Sequence, residues 1–202
     1  MKRTISICLA MMFVVIFSSG FVSCGENQSN SNEILSDDLN KLMFSLDGIV
    51  YTLPFHFSEL EANGWHPCDY ERDYEFATYM LKPDDFDTWS FTNGEHYVVV
   101  TISNFSEEIL LLSESYVVGV AVRYDLFDAQ LILPGNIMIG TSYEYVIEAA
   151  GNRFTYIRET EHSVSFRFSI DIDDFTTASF TMAVDNETKQ VIFMSMDYFR
   201  WD

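Results

Sequence analysis

The chain has 202 residues, of which 11 are basic and 31 acidic, giving a formal net charge of −20. So acidic a composition lacks the basic face that nucleic acid or anionic lipid requires, and we exclude nucleic acid as a partner on this ground. Apolar residues make up 48% of the chain, which predicts a folded core in one domain or in two small packed halves.

The first 24 residues have the layout of an export signal. Lys2 and Arg3 form a short basic start, residues 5–17 are apolar, and a Phe-Val-Ser stretch at residues 21–23 leads directly to Cys24. As a helix the apolar stretch covers only about 20 Å, too short to span a hydrocarbon core about 30 Å thick. A cysteine directly after the cleavage site is typical of bacterial lipoproteins. The pattern predicts a signal peptide over residues 1–23 and a diacylglyceryl group on Cys24; the alternative is an ordinary signal peptide with an incidental cysteine.

A polar segment follows the leader. Residues 24–41 are rich in Ser, Asn and acidic side chains, and such a segment buries too little apolar surface to order itself. We predict a flexible tether over residues 24–41 with a reach of roughly 20–25 Å. The protein is therefore expected to be exported and lipid-anchored to the bacterial membrane, facing outside the cytoplasm, with its acyl chains as the membrane contact.

The first predicted unit, residues 42–128, begins with a β-hairpin. An Asp-Gly turn at residues 47–48 joins two apolar runs, residues 43–46 and 49–53, and this combination is a strong hairpin signal. A second hairpin is predicted around the Asn-Gly pair at residues 93–94. The unit is therefore expected to be rich in antiparallel strands.

A short helix is predicted between these two hairpins. Ser58 and Glu61 have the spacing of a capping box, in which the first side chain caps the helix and the second reaches back to it. Gly64 lies where such a helix would stop. The signals predict a helix of one to two turns.

The second predicted unit, residues 129–202, has the same kinds of signal. Thr141 and Glu144 have the capping-box spacing, and Gly151 lies at the expected end of the helix. Strict alternation of apolar and polar residues over residues 164–173 predicts a strand with one covered face and one wet face. A last hairpin closes the chain.

The shared order of signals predicts an internal repeat. Leu-Pro pairs at residues 53–54 and 133–134 precede the two helices, although the spacings differ, so a coincidence of common local signals is the alternative. We predict an α+β fold, an antiparallel sheet or sheets with short helices packed on one face. Duplication would make this fold two tandem helix-on-sheet repeats.

A family resemblance rests on the second unit. Leu133-Pro134-Gly135, the helix entry at residues 140–142, Gly151 and the closing hairpin through residues 191–193 resemble the α/β units of secreted bacterial proteins. These proteins include the β-lactamase-inhibitor-protein type and small outer-membrane-assembly lipoproteins. The whole mature chain is also similar to surface lipoproteins of gut-type Firmicutes. The resemblance implies a concave sheet used for protein contact and implies no catalytic residue.

We find no catalytic or metal-binding constellation in the sequence, and we predict no cofactor. The Gly-Thr-Ser segment at residues 140–142 lacks the second glycine of a nucleophile elbow. His66, Cys68 and Asp69 are too few ligands for a zinc site. A chain with 31 acidic residues places some carboxylates at catalytic distance by chance, so a carboxylate-dependent hydrolase of cell-wall or dietary polymer is the alternative function.

Aromatic side chains are the candidate contact positions, because exposed aromatic residues anchor protein and sugar partners. The candidates are Trp65, Trp89, Tyr198 and Trp201, and core packing is the alternative for each. We therefore predict a non-catalytic binding module with a protein or peptide partner. A solute-binding lipoprotein ranks third, because the mature chain is too short for the usual two-lobed clamp.

Overall fold

The computed structural model describes residues 34–68 and 76–200. Within these ranges the protein consists mostly of antiparallel strands with two short helices, α1 (Phe57–Ala62) and α2 (Tyr143–Ala150), so the predicted antiparallel sheet is confirmed. The strands in chain order are β1 (Met43–Leu46), β2 (Ile49–Thr52), β3 (Phe55–His56), β4 (His66–Pro67), β5 (Met80–Leu81), β6 (Phe86–Thr92), β7 (Tyr97–Ser103), β8 (Leu110–Leu111), β9 (Tyr116–Arg123), β10 (Leu131–Ile132), β11 (Thr155–Glu159), β12 (Ser163–Asp171), β13 (Thr176–Asp185) and β14 (Val191–Arg200). No helix in this part of the chain has the length and apolar character needed to cross a membrane.

One long sheet holds most of these strands. Its order is β11-β12-β13-β14-β9-β7-β6-β4, and β3 pairs with the first residues of β9. The first half of the chain starts at one edge of this sheet and adds strands toward its centre in the order β4, β6, β7 and β9. The second half starts at the opposite edge and adds β11, β12, β13 and β14 toward the centre. β9 and β14 pair antiparallel at the junction, with Val120 opposite Met196. Described residues of both predicted units thus share one sheet.

Two smaller sheets complete the architecture. One has the order β10-β1-β2, in which Leu46 lies opposite both Leu131 and Ile49. The other is the short pair β5-β8. The first of these links residues 43–52 to residues 131–132, so a second contact besides the long sheet joins the two predicted units.

One face of the long sheet forms the core. A row of apolar side chains crosses six neighbouring strands on this face, and each member is at most 4% exposed. The row consists of Trp89, Val100, Val120, Met196, Phe180 and Phe168. Alternate residues on each strand point to opposite faces, so the register that buries this row also exposes the residues between its members.

Both helices begin at a different cap from the one that the sequence predicts. In α1 the cap is His56, whose Nδ1 accepts a hydrogen bond from the Ser58 backbone N–H at 3.2 Å. The pairing of β3 with β9 keeps His56 extended, so the helix starts directly after it and Ser58 lies inside the first turn. In α2 the cap is Ser142, whose Oγ accepts from Tyr145 N–H at 3.3 Å. The assignment of Ser58 and Thr141 as caps is therefore wrong.

The folded part begins before residue 42. Leu39, which the sequence places in the tether, is 1% exposed and belongs to the core cluster. A turn fixes this segment, because the Asp38 carboxylate accepts from Asn40 N–H at 2.9 Å and the Asp38 carbonyl accepts from Lys41 N–H at 3.0 Å. The predicted end of the tether at residue 41 is therefore too late. Residues 1–33, with Cys24, lie outside the described residues.

The carboxylate of Asp47 connects two turns with the segment that precedes β10. Asp47 has a φ of 48° in the predicted Asp-Gly turn and is followed by Gly48 with a φ of 85°, so the hairpin prediction is confirmed. Its Oδ2 accepts from Asn93 Nδ2 at 2.8 Å and lies 2.9 Å from His96 Nδ1, while its Oδ1 accepts from Gln130 N–H at 2.8 Å. The β1–β2 turn is thereby fastened to the β6–β7 turn and to the segment that precedes β10.

The contact between Asp47 and His96 predicts a pH dependence of stability. The hydrogen bond to Asp47 raises the pKa of His96, so the folded state binds this proton more tightly than the unfolded chain does. The stabilisation is fully present below the unfolded histidine pKa of about 6.5 and is lost as the pH rises through the higher folded value. We expect His96→Gln to lower the free energy of unfolding by about 0.2–1 kcal/mol more at about pH 5.5 than at about pH 8.5, the range typical of exposed pairs.

Urea unfolding of the wild type and the variant at both pH values measures this difference. His66→Gln is the matched control, because the Nδ1 of His66 faces the Gly64 carbonyl oxygen at 3.3 Å and not a carboxylate. An equal effect of His96→Gln at the two pH values would contradict the prediction.

Candidate functional site

Two of the predicted aromatic contacts are core residues. Trp65 and Trp89 are each 2% exposed and belong to the core cluster, so a partner cannot reach them. Trp89 points inward because it alternates along β6 with Thr88 and Ser90, which occupy the opposite face. Both tryptophans therefore pack in the core, and the prediction that they contact a partner is wrong.

The other two predicted aromatic residues lie at the C-terminal end. Tyr198 is half-buried, and its ring packs edge-on against Phe105 with centroids 6.0 Å apart. Trp201 lies outside the described residues. The aromatic side chains that the structure does expose are others, among them Phe86 at 61% and Tyr124 at 62%. The exposure of Phe86 could have been predicted from the sequence, because alternation along β6 puts Phe86 on the same side as Thr88, opposite to Trp89.

Small polar side chains cover the face of the long sheet that is turned away from the core. We call this surface the polar face and define it by two rows of strand partners. The first row is Thr88, Thr101, Gly119, Asp197, Ser179 and Ser169, and the second is Ser90, Val99, Ala121, Ser195, Thr181, Arg167 and Thr155. The predicted wet face of residues 164–173 is part of this surface, since Arg167 and Ser169 are exposed while Phe168 is buried.

A hollow of about 350 Å³, which we call the central hollow, lies on the polar face where β9 and β14 meet. Short side chains on four adjacent strands leave this space open, and three larger side chains, Arg123, Phe127 and Phe193, line it as well. The full lining is Thr88, Val99, Thr101, Ala121, Val122, Arg123, Phe127, Phe193, Ser195 and Asp197. The hollow therefore combines apolar walls with hydroxyl groups, one carboxyl group and the guanidinium group of Arg123 at its edge.

Asp197 supplies that carboxyl group. Its Oδ2 accepts a hydrogen bond from Ser195 Oγ at 2.9 Å. Burial raises the pKa of Asp197, while the Ser195 hydrogen bond and the positive charge of Arg167 act in the opposite direction. Arg167 donates from Nε to Thr181 Oγ1 at 3.4 Å, and among the described residues no cationic nitrogen lies within 4 Å of Asp197. Its charge is thus poorly compensated.

Gly119 makes room for the Asp197 carboxyl group. It lies directly opposite Asp197 in the strand pairing. A β-carbon at this position would lie 2.6 Å from Asp197 Oδ1 and 3.2 Å from the Thr101 side chain. A glycine inside a strand often marks such a close approach of another group. The β9–β14 pairing and the floor of the hollow therefore depend on the absence of a side chain here.

Two further hollows lie elsewhere on the molecule. One, of about 460 Å³, borders the Asp47 turns, includes His96 and Asp128, and shares Phe127 with the central hollow. The other, of about 150 Å³, lies beside Tyr143 and contains Asp185. Each of the three hollows contains one carboxyl group. Across residues 34–68 and 76–200, no three His, Cys, Asp or Glu side chains are grouped closely enough to hold a metal ion.

Comparison with known proteins finds no matching family model, no significantly similar curated protein and no significantly similar solved structure. The resemblance to the β-lactamase-inhibitor-protein type and to small lipoproteins therefore stays a prediction.

The close approach at Gly119 predicts a specific energetic coupling. We expect Gly119→Ala to lower the free energy of unfolding by about 1–3 kcal/mol, the usual cost of overpacking. Asp197→Ala removes the atom nearest to the new methyl group, so the double variant should lose less stability than the two single variants together. Urea unfolding of the four proteins gives the coupling energy. Additivity within about 0.5 kcal/mol, as found for independent sites, would contradict the proposed contact.

Proposed function

We propose that the protein is a membrane-anchored extracytoplasmic lipoprotein that acts as a non-catalytic binding module, and that it contacts a protein or peptide through the polar face. The observation that carries the proposal is the central hollow on a broad face of short side chains. The proposal has two parts, the anchor and the contact surface, and each has its own support and its own test.

The anchor rests on the leader and on Cys24. A basic start, an apolar stretch and a cysteine at the cleavage site together are typical of lipid-modified bacterial proteins. Two acyl chains on one N-terminus hold a protein stably to a bilayer, whereas a single chain is marginal. A tether that ends near Leu39 leaves the folded part free to meet a partner outside the cytoplasm.

We also propose that the fold is a pair of tandem helix-on-sheet units. In each half a short helix is followed by four strands that run from one edge of the long sheet to its centre. In the first half Phe57 of α1 contacts Phe91 of β6, with ring centroids 5.5 Å apart. In the second half Tyr143, at the start of α2, stacks on Phe166 of β12 at 5.2 Å. The polar face is then the surface that the two units share.

The size and charge of the polar face favour a protein partner. Its two rows on six strands about 4.8 Å apart cover on the order of 400 Å², about half of the ~800 Å² per partner of a specific interface. The chain has 31 acidic residues, yet the two rows contain only Asp197 and Arg167 as charged residues. Depletion of charge is a feature of interface centres. The exposed rings of Phe86 and Tyr124 add apolar contact area.

The same surface is less suited to the hydrolase alternative. Glycoside hydrolysis by acid and base requires two carboxyl groups about 5–10 Å apart across the substrate. Among the described residues, the hollow on the polar face contains Asp197 as its carboxyl group, and the hollows beside His96 and Tyr143 contain one carboxyl group each. A single carboxyl group with small hydroxyl neighbours fits recognition better than hydrolysis.

The anchor predicts that membrane attachment depends on Cys24. We expect Cys24→Ser to move the protein from the membrane fraction to the soluble fraction, and mass spectrometry of the native protein to show an acylated N-terminal cysteine. Cys68→Ser is the matched control, because Cys68 is the half-buried cysteine of the described residues, and this variant should stay with the membrane. An unprocessed Met1 on the native protein would refute the anchor.

The contact surface predicts where a partner can be cross-linked in living cells. A photoreactive phenylalanine analogue at Thr88 or Thr181 on the polar face should give discrete adducts, several-fold above those from Glu61 or Glu148. The last two positions are exposed on α1 and α2, as Thr88 is on β6, and serve as controls for general accessibility. Mass spectrometry then identifies the cross-linked protein. Adducts from the helix positions with none from the polar face would place the interface elsewhere.

A further inference from the structure

We infer that the central hollow receives a lysine or arginine side chain of the protein partner, with Asp197 as its counter-ion. This inference rests on the proposed contact surface and states which chemistry that surface recognises. It follows from three observations: a poorly compensated carboxyl group in the hollow, walls that suit an alkyl chain, and the net negative charge of the whole molecule.

The carboxyl group lies in the middle of the polar face and is held in place from two sides. Ser195 donates to Oδ2 at 2.9 Å, and the missing side chain of Gly119 provides the space for Oδ1. A carboxylate that is partly removed from water costs free energy unless a cation or sufficient hydrogen bonds compensate it. Among the described residues, Ser195 is the side chain that donates a hydrogen bond to Asp197. A cation of the partner could therefore form an additional, favourable ion pair with this carboxylate.

The residues on the strands around Asp197 do not place a cation next to its carboxyl group. β7 and β6 present Thr101 and Thr88, and β13 presents Ser179, none of which is charged. On β9, Arg123 is held by Asp125 with its Nε 2.6 Å from Oδ1. On β12, Arg167 is exposed and forms its hydrogen bond with Thr181. Both arginines thus make their hydrogen bonds with other residues, and the influence of Arg167 on Asp197 is that of a more distant charge.

The walls of the hollow suit the stem of a long cationic side chain. Val99, Ala121 and Phe193 are apolar and partly exposed, and lysine and arginine bury their methylene groups on such surfaces while the charged end seeks a polar partner. An anionic group would instead meet the Asp197 carboxylate. A metal ion would find one carboxyl group and hydroxyl groups, too few ligands for a stable site.

The net charge of the whole chain also favours a cationic partner. A formal net charge of −20 attracts positively charged surfaces and raises their rate of encounter, an effect that salt weakens. A basic partner is therefore drawn to the molecule, and the hollow supplies the one position on the polar face where a single cation meets a carboxylate.

The test uses the full chain, purified in detergent, and two small probes at constant ionic strength. Nα-acetyl-lysine N-methylamide carries the cation, and the norleucine analogue has the same stem without it. We expect the lysine probe to shift the NMR amide signals of Gly119, Thr101 and Ser195 in a saturable manner, at least tenfold more tightly than the norleucine probe. Asp197→Asn should weaken lysine binding at least tenfold. Equal binding of both probes, or unchanged binding to Asp197→Asn, would overturn the inference.

Asp197→Asn is a suitable variant because the amide keeps the shape of the side chain and can still accept from Ser195. The raised pKa of Asp197 means that the ionised carboxylate disfavours folding at neutral pH. The variant should therefore unfold at the same or a higher temperature than the wild type, and a loss of binding will not reflect unfolding.

A cross-linking arm separates this inference from the proposed function. The photoreactive residue at Thr88 is combined with Asp197→Asn, and the adduct yield is compared with that of the parent. A loss of adducts of tenfold or more supports the cation site. An unchanged yield would leave the polar face as the contact surface and would remove Asp197 from its recognition chemistry.

Discussion

The antiparallel pairing of β9 with β14 is the interaction on which the rest of the structure depends. β9 is the innermost strand of the first half and β14 that of the second, so the long sheet is continuous only through this pair. The pairing aligns Val120 with Met196 in the core and Gly119 with Asp197 on the polar face. A slip of one residue would turn Met196 to solvent and Asp197 into the core, so burial of the apolar row fixes the register.

The two faces of the sheet differ in side-chain size as well as in polarity. The core face is filled by large side chains such as Trp89, Phe168 and Phe180, which pack at the density of an organic crystal. The polar face carries mostly Ser, Thr, Ala and Gly, so its backbone lies close to the surface and a hollow can form without any gap in the core. Structural stability and the proposed contact surface thus use alternate residues of the same strands.

Local sequence signals predicted the elements better than their ends. The Asp-Gly turn at Asp47 was correct, and so was the alternating strand as far as Asp171, because turn geometry and strand period depend on a few adjacent residues. The last two residues of the predicted strand lie beyond β12, and Ile172, predicted on the covered face, is 45% exposed. The helix caps were wrong at Ser58 and Thr141, because the position of a cap depends on where the preceding chain stays extended. For His56 that is set by β3 pairing with β9, a contact that the local sequence does not contain.

The candidate site was harder to predict than the fold. Tryptophans were chosen as contacts for their size, and the structure buries Trp65 and Trp89 for the same property. Asp197 and Gly119 carry no local motif, and 78 positions in sequence separate them. Asp197 becomes notable only when β14 lies beside β9 and its carboxyl group occupies the space above a glycine.

By itself the sequence determined the acidic charge, the prediction of a leader ending at Cys24, the hairpin turns and the alternation of apolar and polar residues after residue 163, since each of these depends on neighbouring residues. The tertiary structure alone decided the strand order, the junction of the two halves and the place of Asp197 on the polar face. These features depend on pairing between distant strands, and the register of that pairing is selected by burial of a core to which both halves contribute.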